Sequence, residues 1–180
     1  MFEEAVAALQ RGEVIGLPTD TVYGVACLPP FTARLFEIKA RPTDVALPVL
    51  VADEEQARSI AEVPPLAATL MRRHWPGGLT IVLPRRASFL ADLGGADQST
   101  VGVRVPDHEV PRELARRVGP LVTSSANLHQ RPTPPTAAGV RDELGLQLVI
   151  DGGRCEGHPS TVVRVEGEHV EILRQGAVSV

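Results

Sequence analysis

Lysine is almost absent from this sequence: of 18 basic residues, 17 are arginine and Lys39 stands alone. Cysteine is scarce as well, with only Cys27 and Cys155 and neither a CxxC pair nor a His-rich tract beside them. That pattern excludes a disulfide framework and a cysteine-built zinc site, and leaves two buried or half-buried free thiols as the expectation. Aromatic residues make up 3% of the chain, including one tryptophan (Trp75) and one tyrosine (Tyr23), and Asn127 is its single asparagine. No apolar run approaches the roughly 20 residues that cross a bilayer. The opening FEEAVAALQRGE carries early acids where a secretory signal has an apolar core. A cytoplasmic protein without membrane association is expected. A large charge of either sign is missing too. The formal charge of -4 excludes a surface that is basic all over, while leaving room for a local basic groove, because steering follows the distribution of charge as well as its sum.

Familiar nucleotide and metal motifs are equally missing. There is no GxxxxGK[ST], no GxGxxG after a strand and no HExxH. The histidines, at 74, 108, 129, 158 and 169, follow no ligand spacing, and none stands beside a plausible Ser or Cys nucleophile. Hydrolysis through a triad therefore has no support.

What remains is 180 residues, 43% hydrophobic and 22% charged, enough for a proper core and read as one domain over 1–180. Phe2, Val6 and Leu9 form the stripe of a first helix over 2–10 that stops at Gly12. A strand over 13–17 follows, then a helix over 31–40 that carries Lys39 at its end, with Arg41 just beyond and Pro42 barring continuation. Leu47 to Val51 reads as a strand. Asp53 caps a helix to about Ala61, and Pro64-Pro65 opens another to Trp75. LTIVL (79–83) and TVGVRV (100–105) read as β, followed by a helix from about 108 to 118 and strands at 120–123 and 147–150 around a helix capped at Thr136. The tail reads as a hairpin turning at Glu166-Gly167. Alternating strands and helices with a terminal hairpin imply an α/β fold built on a mixed sheet flanked by helices.

Cations and hydroxyls cluster at strand ends, where open α/β sheets bind ligands. The cations are Lys39, Arg41, Arg104 and Arg174; the hydroxyls are Thr19, Thr21, Thr123, Ser124, Ser125, Ser160 and Thr161. Each has a plainer reading. Thr19 and Asp20 can form a simple turn, and SSAN (124–127) can cap a helix. Arg104 is harder to dismiss. Strand alternation in TVGVRV sends Val101, Val103 and Val105 to one face and Gly102 and Arg104 to the other. A guanidinium beside a glycine on a central strand suggests an anion close to the backbone; the alternative is an internal salt bridge.

Taken in order, LPTDTVYG, IKARP, WPGGLT, VGVRVP, SSAN, STVV and ILRQGA run from residue 17 to 177 and together resemble the YrdC-like family of threonylcarbamoyl-AMP synthases. The resemblance covers nearly the whole chain, and its spacing fits a lone catalytic domain without the extra C-terminal domain of some members. It implies a YrdC-like twisted mixed β-sheet with a deep, positively charged cavity. In that cavity L-threonine, bicarbonate and ATP become threonylcarbamoyl-AMP and pyrophosphate, for tRNA threonylcarbamoyladenosine modification completed by downstream transferase proteins. Matching positions imply that Thr21, Arg104, Thr123 and Ser160 hold threonine. They imply that Arg41, Thr100, Ser125, Asn127, Thr133 and Arg174 hold ATP, with Lys39 nearby. Lys39 and Arg41 are the implied catalytic cations, acting with Mg2+ on the leaving pyrophosphate and with no metal site built by the protein itself.

The chain departs from family patterns at Val45, where a polar residue is common, at Leu50, where some members have His, and in SANLHQ, where SANxSG is usual. Two other classes fit the same residues: an RNA-binding module using the cavity without turnover, and a carbamoyl-adenylate-forming domain that consumes carbamoyl phosphate.

Overall fold

The computed structural model describes residues 1–40, 42–128 and 130–180. The elements in order are α1 (Phe2–Gln10), β1 (Ile15–Leu17), β2 (Gly24–Cys27), a 3-10 turn at Pro29–Phe31, α2 (Thr32–Lys39), β3 (Val49–Leu50), α3 (Glu54–Ile60) and α4 (Pro65–His74). They continue as β4 (Leu79–Pro84), β5 (Thr100–Arg104), α5 (Glu109–Val118), β6 (Leu121–Ser125), α6 (Ala137–Leu144), β7 (Thr161–Glu166) and β8 (His169–Arg174). Local chemistry explains several boundaries. The Asp53 carboxylate accepts from Gln56 N at 2.9 Å, and Thr136 Oγ1 accepts from Gly139 N at 3.2 Å, so both predicted caps form. SSAN caps no helix; Ser124 and Ser125 finish β6 instead.

Among the described residues the strands form one sheet in the order β1-β2-β6-β3-β5-β4-β7-β8. Only β3–β5 and β4–β7 pair in parallel, so the sheet is mixed as expected. Two expectations fail. β2 pairs with both β1 and β6 where no strand was read. The strand expected at 147–150 is reduced to a bridge between Gly16 and Val149, held by Gly16 N to Leu148 O and Ile150 N to Gly16 O, each 2.9 Å.

Successive strand residues point to opposite faces, and here the two faces have different fates. Val25, Val49, Ile81, Val103, Val122 and Val163 join the larger core with Leu35 and Phe36 of α2, Ala57 of α3, and Leu70 and Met71 of α4. Their neighbours Ala26, Leu50 and Leu121 belong to a second core with Ala5 and Leu9 of α1 and Leu114 and Ala115 of α5. Each such leucine withdrawn from water stabilises the fold by about 1.5–3 kcal/mol. Helices α1 and α5 serve only one end of that second face. Over β5, β4 and β7 it carries Gly102, Arg104, Thr80 and Arg164, which line a cavity.

Candidate active site

The cavity holds about 580 Å³ and draws its walls from the 19–24 loop, the 44–48 segment and strands β3 to β8. Its described lining contains three arginines, Arg104, Arg164 and Arg174, and two aspartates, Asp44 and Asp97. Both thiols are poor nucleophiles: burial pushes Cys27 up to about 12, and burial also raises Cys155, whose Sγ lies 3.4 Å from Thr19 O.

Arg104 is held by hydrogen bonds from all three of its guanidinium nitrogens. It is 6% exposed, and its Nε donates to Gly77 O at 2.9 Å, Nη1 to Thr21 Oγ1 at 3.0 Å and Nη2 to Asp20 Oδ1 at 2.6 Å. Both readings of Arg104 therefore hold at once: it makes an internal ion pair and it faces the cavity. Burial lowers its pKa, Asp20 opposes that shift, and the Arg174 charge adds to it. Each terminal nitrogen keeps a second N–H beyond these bonds, and those are the donors a bound carboxylate would meet.

Thr21 and Thr123 line the same cavity, and Thr123 Oγ1 donates to Val25 O at 2.9 Å. On the far wall Thr80 Oγ1 and Ser160 Oγ are 2.9 Å apart, and Arg174 folds its guanidinium onto Ser160, with Nη2 to the carbonyl at 2.8 Å and to Oγ at 3.2 Å. Burial lowers the pKa of Arg174 as well. Thr100 and Ser125 also reach the lining, the former 3.3 Å from Asp97 Oδ2. Hydrogen bonds from Ser99 are the chief cause of the lowered pKa of Asp97.

Four residues singled out from the sequence, Lys39, Asn127, Thr133 and Thr161, are not brought to the described lining. Lys39 is 2% exposed, and its ammonium donates to the Ser125 and Asn127 carbonyls, the latter at 2.6 Å. Asn127 holds Leu128 O and Arg131 O through Nδ2 at 2.8 Å, and receives Thr133 Oγ1 on its Oδ1 at 3.1 Å. Lys39, Asn127 and Thr133 thus brace the loop after β6, because a compact ammonium and an amide satisfy the carbonyls that this irregular backbone leaves unpaired. Arg41 lies outside the described residues, as does His129. Val45, 47% exposed, and the buried Leu50 both line the cavity.

Sequence reasoning missed Tyr23, Thr80 and Arg164 as lining residues. Arg164 stands in TVVRVE between the buried Val163 and Val165, the same signal that singled out Arg104 in VGVRV. Tyr23 is fully buried, and its hydroxyl bridges Gly153 O at 2.8 Å and Gly152 N at 3.1 Å, fastening the site loop to the 152–157 segment. At Gly102 a Cβ would meet Thr80 Cγ2 at 3.4 Å, an ordinary contact, so the position tolerates a side chain that points into the cavity. Gly102→Ala, which adds that one carbon to the cavity wall, is accordingly expected to lower the affinity for a ligand bound there while leaving the melting temperature nearly unchanged, checked by calorimetry and thermal denaturation.

Known proteins are similar to this chain in architecture and in sequence. The family model described as "Telomere recombination", Sua5/YciO/YrdC, matches residues 7–176. A threonylcarbamoyl-AMP synthase of Bacillus subtilis (strain 168) is 36% identical over 184 residues, 98% of this chain and 53% of that protein. The threonylcarbamoyl-AMP synthase of Vibrio vulnificus (strain YJ016) is 35% identical over 184 residues, 97% of this chain and 98% of its own length. Among solved structures, P. abyssi Sua5 complexed with L-threonine superposes with a TM-score of 0.90 at 34% identity, covering 97% of this chain and 54% of that one. The chain thus spans about half of the Bacillus and P. abyssi proteins and nearly all of the Vibrio one. It is a member of the Sua5/YciO/YrdC family.

Proposed function

We propose that the chain forms threonylcarbamoyl-AMP and pyrophosphate from L-threonine, bicarbonate and ATP, and that residues 1–180 act as a single catalytic domain. The observation that carries this reading is the convergence, in one cavity, of a donor-rich buried guanidinium at Arg104 with the hydroxyls of Thr21 and Thr123, across from the Ser160–Arg174 pair. An amino acid fits the first cluster with Ser160 at its edge, and a polyphosphate fits the Arg174 guanidinium beside it. Relatives of the same length bear the name of this activity, and P. abyssi Sua5 binds L-threonine in the same fold.

In this reading Arg104, Thr21, Thr123 and Ser160 hold threonine, while Thr100, Ser125 and Arg174, joined by Arg41, hold ATP. Lys39 acts by holding the Ser125–Asn127 backbone to which the nucleotide is offered. The amine of threonine attacks carbon dioxide or bicarbonate to give a carbamate, whose oxygen displaces pyrophosphate from the α-phosphate. No step requires a protein nucleophile; the protein orients the reactants and neutralises charge. Magnesium enters as part of the nucleotide substrate. Among the described residues no three His, Cys, Asp or Glu side chains stand together as a cage, and Mg2+ is usually held largely by substrate phosphates and water. The product supplies tRNA modification through separate transferase proteins. Among the described residues no helix is long and apolar enough to cross a membrane.

The test is pyrophosphate release by the purified chain with ATP, magnesium and bicarbonate. Release is expected only when L-threonine is added. Release without threonine, or none under any condition, would overturn the assignment. Carbamoyl phosphate and RNA, supplied separately, are expected to leave the rate of release unchanged.

A further inference from the structure

The hydroxyl protons around Arg104 have only one consistent arrangement. Thr19 Oγ1 is 2.6 Å from Val22 O, which can only accept, so the single Thr19 proton lies in that bond. Thr21 N donates to Thr19 Oγ1 at 3.1 Å. The 3.0 Å contact between the Thr19 and Thr21 hydroxyls must then be donated by Thr21. Thr21 Oγ1 meanwhile accepts from Arg104 Nη1 at 3.0 Å, which leaves one lone pair and no proton to face the cavity it lines. Thr123, whose proton goes to Val25 O, likewise offers the cavity only lone pairs.

The geometry points to Thr19 as a positioning residue for substrate choice: it fixes the direction of the Thr21 hydroxyl, so that Thr21 can only accept and the group it receives is the substrate's amine. This rests on the reading above that the cavity takes threonine, and it adds which pole of the amino acid goes where. The Arg104 side of the pocket supplies donors, suited to the carboxylate. The Thr21 and Thr123 side supplies acceptors, suited to N–H. A substrate without the amine would leave these acceptors unanswered in a pocket where Thr21 is 3% and Thr123 6% exposed. Such unanswered buried acceptors are costly, which makes a polar pocket of this kind discriminating.

The experiment compares binding of L-threonine with that of its des-amino analogue β-hydroxybutyrate, by calorimetry on the full chain. Wild type is expected to prefer threonine. Thr19→Val frees the Thr21 proton to turn toward the cavity, so the preference should fall by about tenfold, the worth of one hydrogen bond to a charged group. Affinity for β-hydroxybutyrate and KM for ATP should hold, whereas a merely collapsed loop would weaken both acids alike. Thr19→Ser keeps the hydroxyl and should restore the preference. Thr21→Val, which leaves the Thr19–Val22 bond in place, reads the same preference should Thr19→Val not fold, and is expected to lose it. An unaltered preference in Thr19→Val or Thr21→Val, or a Thr19→Ser as impaired as Thr19→Val, would overturn the inference while leaving the activity standing. A wild-type chain that binds no threonine would overturn both.

Discussion

Arg104→Met is expected to lower kcat/KM for threonine by roughly 10²–10⁴, with a much smaller change in KM for ATP. The magnitude follows from two charge-assisted hydrogen bonds to the substrate carboxylate, each about 1.5–3 kcal/mol, with tenfold in rate for about 1.4 kcal/mol. A second effect accompanies the first. The substitution leaves Asp20, whose side chain is 17% exposed, without its partner. Removing one member of a fully buried pair costs about 3–5 kcal/mol, and the partial access of Asp20 to water makes the loss smaller here. The two effects separate in Arg104→Met/Asp20→Asn, expected to recover thermal stability without recovering activity. Arg104→Lys is expected to rescue little, because one ammonium cannot reach Gly77 O, Thr21, Asp20 and a ligand together. Steady-state kinetics with thermal denaturation decide the matter. Near-normal kcat/KM for threonine in any of these variants would remove Arg104 from the binding site.

Thr161→Val is the second change with a large expected outcome, although its side chain is fully buried and not among those lining the cavity. Thr161 Oγ1 accepts from Gly176 N at 3.0 Å and from Val178 N at 3.1 Å, and donates to Val178 O at 2.6 Å. The 176–178 segment is thereby clamped against the first residue of β7, next to Ser160. Packing there is close: a Cβ on Gly176 would lie 2.1 Å from Pro159 O. Valine preserves the volume and leaves the Gly176 and Val178 N–H donors unanswered, at about 1–3 kcal/mol for each that stays buried, while Val178 O keeps the Gln175 amide at 2.8 Å. For a chain of this length that corresponds to a fall in melting temperature on the order of 10 °C. Arg174 leaves β8 just before this clamp and rests on Ser160, so KM for ATP should rise with the loss of stability. Thr161→Ser should behave as wild type. A Thr161→Val protein with unchanged melting temperature and KM would show that the tail is held by other contacts.

Helices and long strands were legible because their apolar periodicity is a local property. α1, α4 and α5 lie within a residue or two of expectation, as do β4 and β5. β2 was not, because GVAC is short, fully buried and without alternation, and it is made a strand by its pairing with β1 on one side and with β6, about 100 residues away, on the other. The 147–150 segment failed in the opposite direction: its local preference is β, yet beside β1 it finds room for a single bridge at Gly16. At the site, Arg104 could be read from strand alternation alone, since a guanidinium opposite a row of valines must face something. The pairing of Lys39 with the Ser125 and Asn127 carbonyls could not, because it spans more than 80 residues and depends on backbone atoms that no side-chain pattern reveals.

The scarcity of lysine has a bearing on acidity. The positive charges on the described cavity wall are guanidinium groups, and no histidine or cysteine stands among the described lining residues. Guanidinium ions keep their protons throughout the physiological range even when burial lowers their pKa. The described wall is therefore electrically constant from mildly acidic to mildly alkaline water. Under the proposed function, a rise of turnover with alkalinity is expected to be carried in by the substrates, the amino acid shedding a proton from its nitrogen among them.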